Sequence, residues 1–151
     1  MRRYIRLAGL LLLFPMMADA QQVLTLTSSY ASSFTFPNVA ANTTVYIAPS
    51  LVGPNPNTGA LVPKDTTFSN LYIRVTTAPS VAESDVFTVV TGPPASMTPT
   101  NITCSVAAGT NTCSDTTHSA FLAAGNAWAV KLVTGATSAS GQSMVGLTLS
   151  N

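Results

Sequence analysis

The sequence predicts an all-β protein: an antiparallel jelly-roll or β-sandwich of eight or nine short strands. Three observations lead there. Segments alternate apolar and polar residues at period two, as in Val45 and Ile47 against Thr44 and Tyr46, or Leu71, Ile73 and Val75 against Tyr72 and Arg74. Turn signals rich in proline and glycine separate these segments at even spacing, the pattern of sandwiches and jelly rolls. No stretch carries capped apolar residues at helical spacing; the one candidate, residues 120–129, has Gly125-Asn126 in its middle.

The chain opens with a segment that reads as an export signal. Arg2, Arg3 and Arg6 form a positive end, Leu7 to Phe14 an apolar core, and Ala18-Asp19-Ala20 puts small residues at the cleavage positions before Gln21. The apolar run is too short to span a membrane, and no later run approaches one. Residues 1–20 are therefore expected to be removed, leaving residues 21–151 as one domain long enough for a real core. The expected location is secreted, extracellular or at the cell surface, with a periplasm as a further option.

The strands follow in order. Gln22–Thr27 alternates Val23, Thr25 and Thr27 against Leu24 and Leu26. Ala31–Phe36 ends at Pro37-Asn38, and Thr43–Ala48 ends at Pro49. Pro49–Pro63, with Pro54, Pro56, Gly53 and Gly59, reads as a long surface loop, a length at which loops tend to be functional or mobile. Phe68–Thr77 is the clearest two-faced strand. Ala78–Asp85 reads as a turn that carries Glu83 and Asp85 into solvent, before a strand at Phe87–Thr91 that ends at Gly92-Pro93-Pro94. Met97, Pro99 and Thr100 connect to the next strand. His118–Leu122, the turn Ala123–Asn126, and a strand with Trp128, Val130 and Leu132 on one face come later. After a small-residue loop, Met144–Leu149 closes the chain with Val145, Leu147 and Leu149 together.

Residues 100–134 hold both cysteines, the one histidine and the one tryptophan. Ile102, Cys104 and Val106 alternate with Thr103 and Ser105, and Ala107-Ala108-Gly109-Thr110 supplies a turn. A two-residue loop at Ala108-Gly109 sets Cys104 opposite Cys113 at a non-hydrogen-bonded pair, where Cα atoms lie roughly 4.5–5.5 Å apart, within disulfide range. The expectation is a Cys104–Cys113 disulfide stapling a hairpin, with an entropic gain of about 2–3 kcal/mol. Export makes that bond chemically reasonable. Asn111 and Asp115 would then share the face of Ile102 and Val106, which places the second arm at a sheet edge or ends its pairing beyond the cysteines. The alternatives are two free thiols or a metal site; two sulfurs and one histidine are a poor zinc set.

Without residues 1–20 the chain keeps Lys64, Arg74 and Lys131 against Asp65, Glu83, Asp85 and Asp115, a net charge of about −1. Only 7% of the full sequence is charged, against roughly 25% in an ordinary soluble protein. No basic patch is available for phosphates, so nucleic acid is not an expected partner. A surface of threonine, serine and asparagine has little charge repulsion against self-association. That composition fits a subunit of a larger assembly, or a protein living outside the cell at variable salt. No phosphate loop, nucleophile elbow or metal-ligand cluster is present, and no catalytic residue, metal or cofactor is expected. An enzyme would need Glu83, Asp85, Asp115 or His118 to converge in a cleft. Asn42-Thr43-Thr44 and Asn101-Ile102-Thr103 match the glycosylation sequon, which matters only in a host that glycosylates.

The pieces FSNLYIRV, ESDVFTVVTG, NITCSV, TCSDTTHSAFLAAGNAWAVKLV and SMVGLTL, spanning residues 66–149, resemble a jelly-roll module of secreted bacterial and phage-associated proteins. That module is related in style to tumour-necrosis-factor-like and complement-type globular heads. Asn126 stands where an aspartate is more usual, and Pro93-Pro94 where an Asn-Gly corner is. The resemblance implies trimeric packing and a structural or recognition role, with no catalytic residues to carry over.

Two functions follow as expectations. The first is a structural or adhesive subunit acting as a homo-oligomer, a trimer or a fibre. The second is a carbohydrate-binding module that meets surface glycans through Tyr46, Tyr72 and Trp128 near the Pro49–Pro63 loop. Trp128 is also the natural core anchor of its strand.

Overall fold

A computed structural model describes residues 29–30, 34–36, 39–49, 51–80, 83–137 and 143–150. The export segment and the strand expected at 22–27 lie outside them. The described residues form β1 (Ser29–Tyr30), β2 (Phe34–Phe36), β3 (Thr44–Ala48), β4 (Leu51–Gly53), β5 (Ala60–Leu61), β6 (Thr66–Val75), β7 (Ser84–Gly92), β8 (Thr98–Ala107), β9 (Thr112–Leu122), β10 (Ala127–Val133) and β11 (Ser143–Ser150). None of their residues is helical.

Two antiparallel sheets face each other. Sheet A runs β1-β11-β6-β9, with β2 also on β11; sheet B runs β4-β3-β10-β7-β8, with β5 also on β10. The pairing is nested: β7 with β8, β6 with β9, β3 with β10, and β2 with β11. Successive pairs alternate between sheets, so the chain is one long folded-back ribbon rolled into a sandwich. This is jelly-roll order. Seven of these eight strands are ones the alternation pattern anticipates; β9 joins the second cysteine arm and the strand expected at His118–Leu122 into one, and β1, β4 and β5 are short additions of two or three residues.

The core lies between the sheets and follows the alternation. Leu71, Ile73 and Val75 of β6 face Phe87 and Val89 of β7, Ile102 and Val106 of β8, and Val130 and Leu132 of β10. Phe68 and Trp128 meet within it, ring centroids 5.1 Å apart at a tilt of 48°. The turns stand where they are expected. Thr110 N donates to Ala107 O at 3.0 Å and Asn126 N to Ala123 O at 3.2 Å. Gly109 and Gly125 hold φ of 73° and 82°, in the left-handed region where a Cβ is unfavourable.

Three expectations need correction. Pro49–Pro63 is not one free loop. It forms β4, which pairs back on β3, and β5, which takes the length of β10 that β3 leaves open. Val62 N donates to Asn126 O, and Gly125 N to Val62 O, so the segment's end is tied to the β9–β10 turn. The strand before Gly92 begins at Ser84, which draws Asp85 into the sheet opposite Val106 rather than into solvent.

The third correction concerns the cysteines. Cys104 and Cys113 are disulfide-bonded with Cα atoms 5.7 Å apart, but they do not lie on one ladder. β8 pairs with β7 and β9 with β6, so the bond joins the terminal strand of sheet B to that of sheet A. The chain leaves β8 immediately after the turn because β6 captures Asn111: Val75 N donates to Asn111 O at 2.9 Å, and Asn111 Nδ2 donates to Val75 O at 3.2 Å. Facing sheets ordinarily stand about 10 Å apart. The two sheets therefore pinch together along β8 and β9, and the disulfide sits in the pinch.

Candidate recognition surface

The three aromatic residues proposed for glycan contact do not share a surface. Trp128 is 5% exposed and belongs to the core, as its place beside Val130 and Leu132 requires. Tyr46 is half-buried on the outer face of sheet B, where it packs against Ala48, Val90 and Ala129 together with Ala60 and Met97. Tyr72 stands on the outer face of sheet A, on the opposite side of the sandwich, and is 53% exposed. Tyr46 is the one next to the 49–63 segment, since it pairs with Gly53.

The outer face of sheet A holds a second aromatic that the sequence reading did not single out. Phe121 is 66% exposed and pairs with Thr67. Its signal was legible: Leu122 is an inward residue of β9, so Phe121 faces out. Tyr72 pairs with Ser114 on one side and with Gly146, which has no side chain, on the other. Arg74 is exposed on the same face and pairs with Thr112. The face is therefore two exposed aromatic rings set among serines and threonines, with a single guanidinium near one end.

The rim beside this face is built by Asp115. Register slips by two residues between Leu71↔Asp115 and Ser69↔Ser119, so residues 116–118 bulge out of β9. Asp115 holds the bulge. Its Oδ1 accepts from Thr117 N at 3.1 Å, Thr117 Oγ1 at 3.1 Å and His118 N at 3.2 Å. Its Oδ2 crosses to the other sheet and accepts from Thr103 N of β8 at 3.0 Å. His118 Nδ1 lies 2.8 Å from the same oxygen, with the histidine side chain 50% exposed. Burial raises the Asp115 pKa. The bonds from Thr103 N, His118 and Thr117 N outweigh it and hold the carboxyl well below the usual carboxylate range. An ionised carboxylate only accepts, so His118 Nδ1 carries the proton and Nε2 is the outward nitrogen. The Asn111–Asp115 difficulty of the sequence is thereby resolved: Asn111 serves β6, and Asp115 seals the edge of β8.

The four residues an enzyme would need divide into two pairs. Asp115 joins His118, whereas Glu83 and Asp85 both bind the segment after β10: Gly135 N donates to Asp85 Oδ1 at 3.4 Å, and Thr137 N to Glu83 Oε2 at 2.7 Å. Among the described residues no group of three or more histidine, cysteine or acidic side chains is placed to hold a metal ion. Both sequon asparagines are exposed, Asn42 in a turn with φ of 52° and Asn101 on β8. No protein-family model, curated protein or solved structure matches the chain.

Proposed function

We propose that the chain is a secreted, non-enzymatic structural or adhesive subunit that self-associates through the outer face of sheet A. The observation that carries this reading is the exposure of Tyr72 and Phe121 on one nearly uncharged face. Large aromatic rings are the side chains that interfaces favour at their centres, and the surrounding serines and threonines desolvate at lower cost than charges. Edge-to-edge association is less well supported. The β8 and β9 edges are joined by the disulfide and by Asp115, and β1 and β4 are too short to template long strands. A trimer is the closed assembly implied by the resemblance of residues 66–149 to tumour-necrosis-factor-like and complement-type heads. The disulfide is compatible with life outside a reducing cytosol.

The test is the solution mass of the non-reduced chain from Gln21 onward, by light scattering, for the native protein and for Tyr72→Ala with Phe121→Ser. A discrete oligomer that the double substitution dissociates supports the proposal. A native monomer at concentrations up to ~100 μM sinks it.

A second reading rests on Tyr72 alone. Its ring has Gly146 on one flank and Ser114 on the other, which leaves room for a flat pyranose face, with Arg74 two positions on as a donor. Glycan binding that is lost in Tyr72→Ala, with the fold retained, would favour this reading.

A further inference from the structure

We propose that Glu83 and Asp85, gathered on the segment after β10, form a binding site for a hard divalent cation of the calcium class. Asp85 is 0% exposed, and its Oδ2 has no hydrogen-bond partner. Buried polar atoms are almost always paired, so an orphaned carboxylate oxygen points to a missing counterpart. A second carboxylate is brought to the same place. Glu83 Oε2 accepts from Thr137 N at 2.7 Å, and Asp85 Oδ1 accepts from Gly135 N at 3.4 Å. Each side chain is thus anchored by one oxygen to alternate N–H groups of one segment, and each keeps a second oxygen for another ligand.

Residue 135 is part of the arrangement. A Cβ there would lie 2.6 Å from Glu83 Oε2 and 2.9 Å from Glu83 Cβ, so the absence of a side chain lets the carboxylate rest against the backbone. Among the described residues the two carboxyl groups also lack a cationic neighbour. Among the described residues the one ion pair is His118–Asp115, and neither Lys64, Arg74 nor Lys131 reaches Glu83 or Asp85. A bound cation would give Asp85 Oδ2 its partner and draw on the free oxygen of Glu83. The side chains offer oxygen only, which selects calcium or magnesium over zinc or copper. A cation here would tie the start of β7 to the chain leaving β10. Thr134 already knits that end of the sandwich, its Oγ1 donating to Ala40 O at 2.8 Å and accepting from Thr43 N at 2.9 Å. Two carboxylates without a full cage match the weak affinities of extracellular modules, about 0.1–1 mM.

The test is thermal unfolding of the disulfide-bonded full chain after chelator treatment, in CaCl2, MgCl2 or NaCl at matched ionic strength, together with calcium titration calorimetry. At a tenfold excess over the dissociation constant the midpoint should rise by about 4 °C beyond the NaCl control. Glu83→Gln and Asp85→Asn should each abolish the rise. Should Asp85→Asn fail to fold, Glu83→Gln carries the test alone, since its half-buried side chain tolerates the change. No divalent-specific shift and no binding heat overturn the proposal. A full shift that survives in Glu83→Gln overturns it as well, and a response to magnesium alone overturns the calcium assignment.

Discussion

Replacing Asp115 by alanine should destabilise the protein by about 2–4 kcal/mol. Five donors converge on this carboxylate, but they are not equal. Thr117 and His118 are exposed, so water takes over most of what their groups lose. The His118 pair is half in solvent and is worth at most about 1 kcal/mol. Thr103 N stands apart because it is the one donor that reaches Asp115 from the other sheet. It belongs to the terminal strand of sheet B, in the pinch against sheet A, and a hydrogen bond to a charged group there contributes about 1.5–3 kcal/mol. The assay is urea unfolding at pH 7 followed by Trp128 fluorescence, with native, Asp115→Ala and Asp115→Asn chains compared. The pH dependence carries its own sign. The folded-state pKa of Asp115 is depressed, so its contribution is complete above the unfolded value near about 3.9 and is lost progressively as pH falls toward the folded value. The gap between native and Asp115→Asn should therefore narrow from about pH 4 downward. A gap under about 0.5 kcal/mol at pH 7, or one unchanged at pH 2.5, would refute the assignment.

Removing both sulfurs, with Cys104→Ala and Cys113→Ala together, should cost about 2–3 kcal/mol by loop-closure entropy, and dithiothreitol should then have no further effect on the unfolding midpoint. Trp128→Ala should lose about 3–5 kcal/mol in the same assay, read by circular dichroism, whereas Tyr72→Ala should stay within about 0.5 kcal/mol. Thr134→Val keeps the shape but leaves Ala40 O and Thr43 N without their buried partner; a loss of about 2–3 kcal/mol is expected by calorimetry, and a neutral result would mean that water replaces the hydroxyl.

Period-two alternation made the sandwich legible, because inward and outward residues separate cleanly along the second half of β6 and along β8. The alternation at Trp128, Val130 and Leu132 likewise marks Trp128 as a core anchor. It could not reveal which strand pairs with which. Cys104 and Cys113 illustrate the difficulty: the turn at Ala107–Thr110 is local and was readable, but the capture of Asn111 by Val75 spans 36 positions and leaves no local mark. Asp85 was misread for a related reason. A carboxylate two residues after Glu83, following Pro79, carries every mark of an exposed turn, and only pairing with Val106, at the far end of the next strand, draws it inward. The candidate surface was half legible. Tyr72 alternates visibly with Leu71 and Ile73, whereas Tyr46 and Trp128 carry the same aromatic signal and lie elsewhere, Tyr46 on the outer face of sheet B and Trp128 in the core.

The nested pairing also sets an order in time. Thr88 meets Thr103 across the β7–β8 connection; Leu71 then meets Asp115, Ile47 meets Val130, and Thr35 meets Met144. Each inner pair, once made, shortens the loop that the next pair must close, so assembly is cheapest from the middle of the chain outward. β2 and β11, the outermost of these four pairs, are then the last to be zipped and the first to open. Substitutions in β7 and β8 should slow folding, while those in β2 and β11 should chiefly hasten unfolding, a division that φ-values across the four pairs would expose. In a cell the consequence concerns synthesis: β11 follows β2 by more than a hundred residues, and until it has emerged the strand at Phe34–Phe36 waits without its partner.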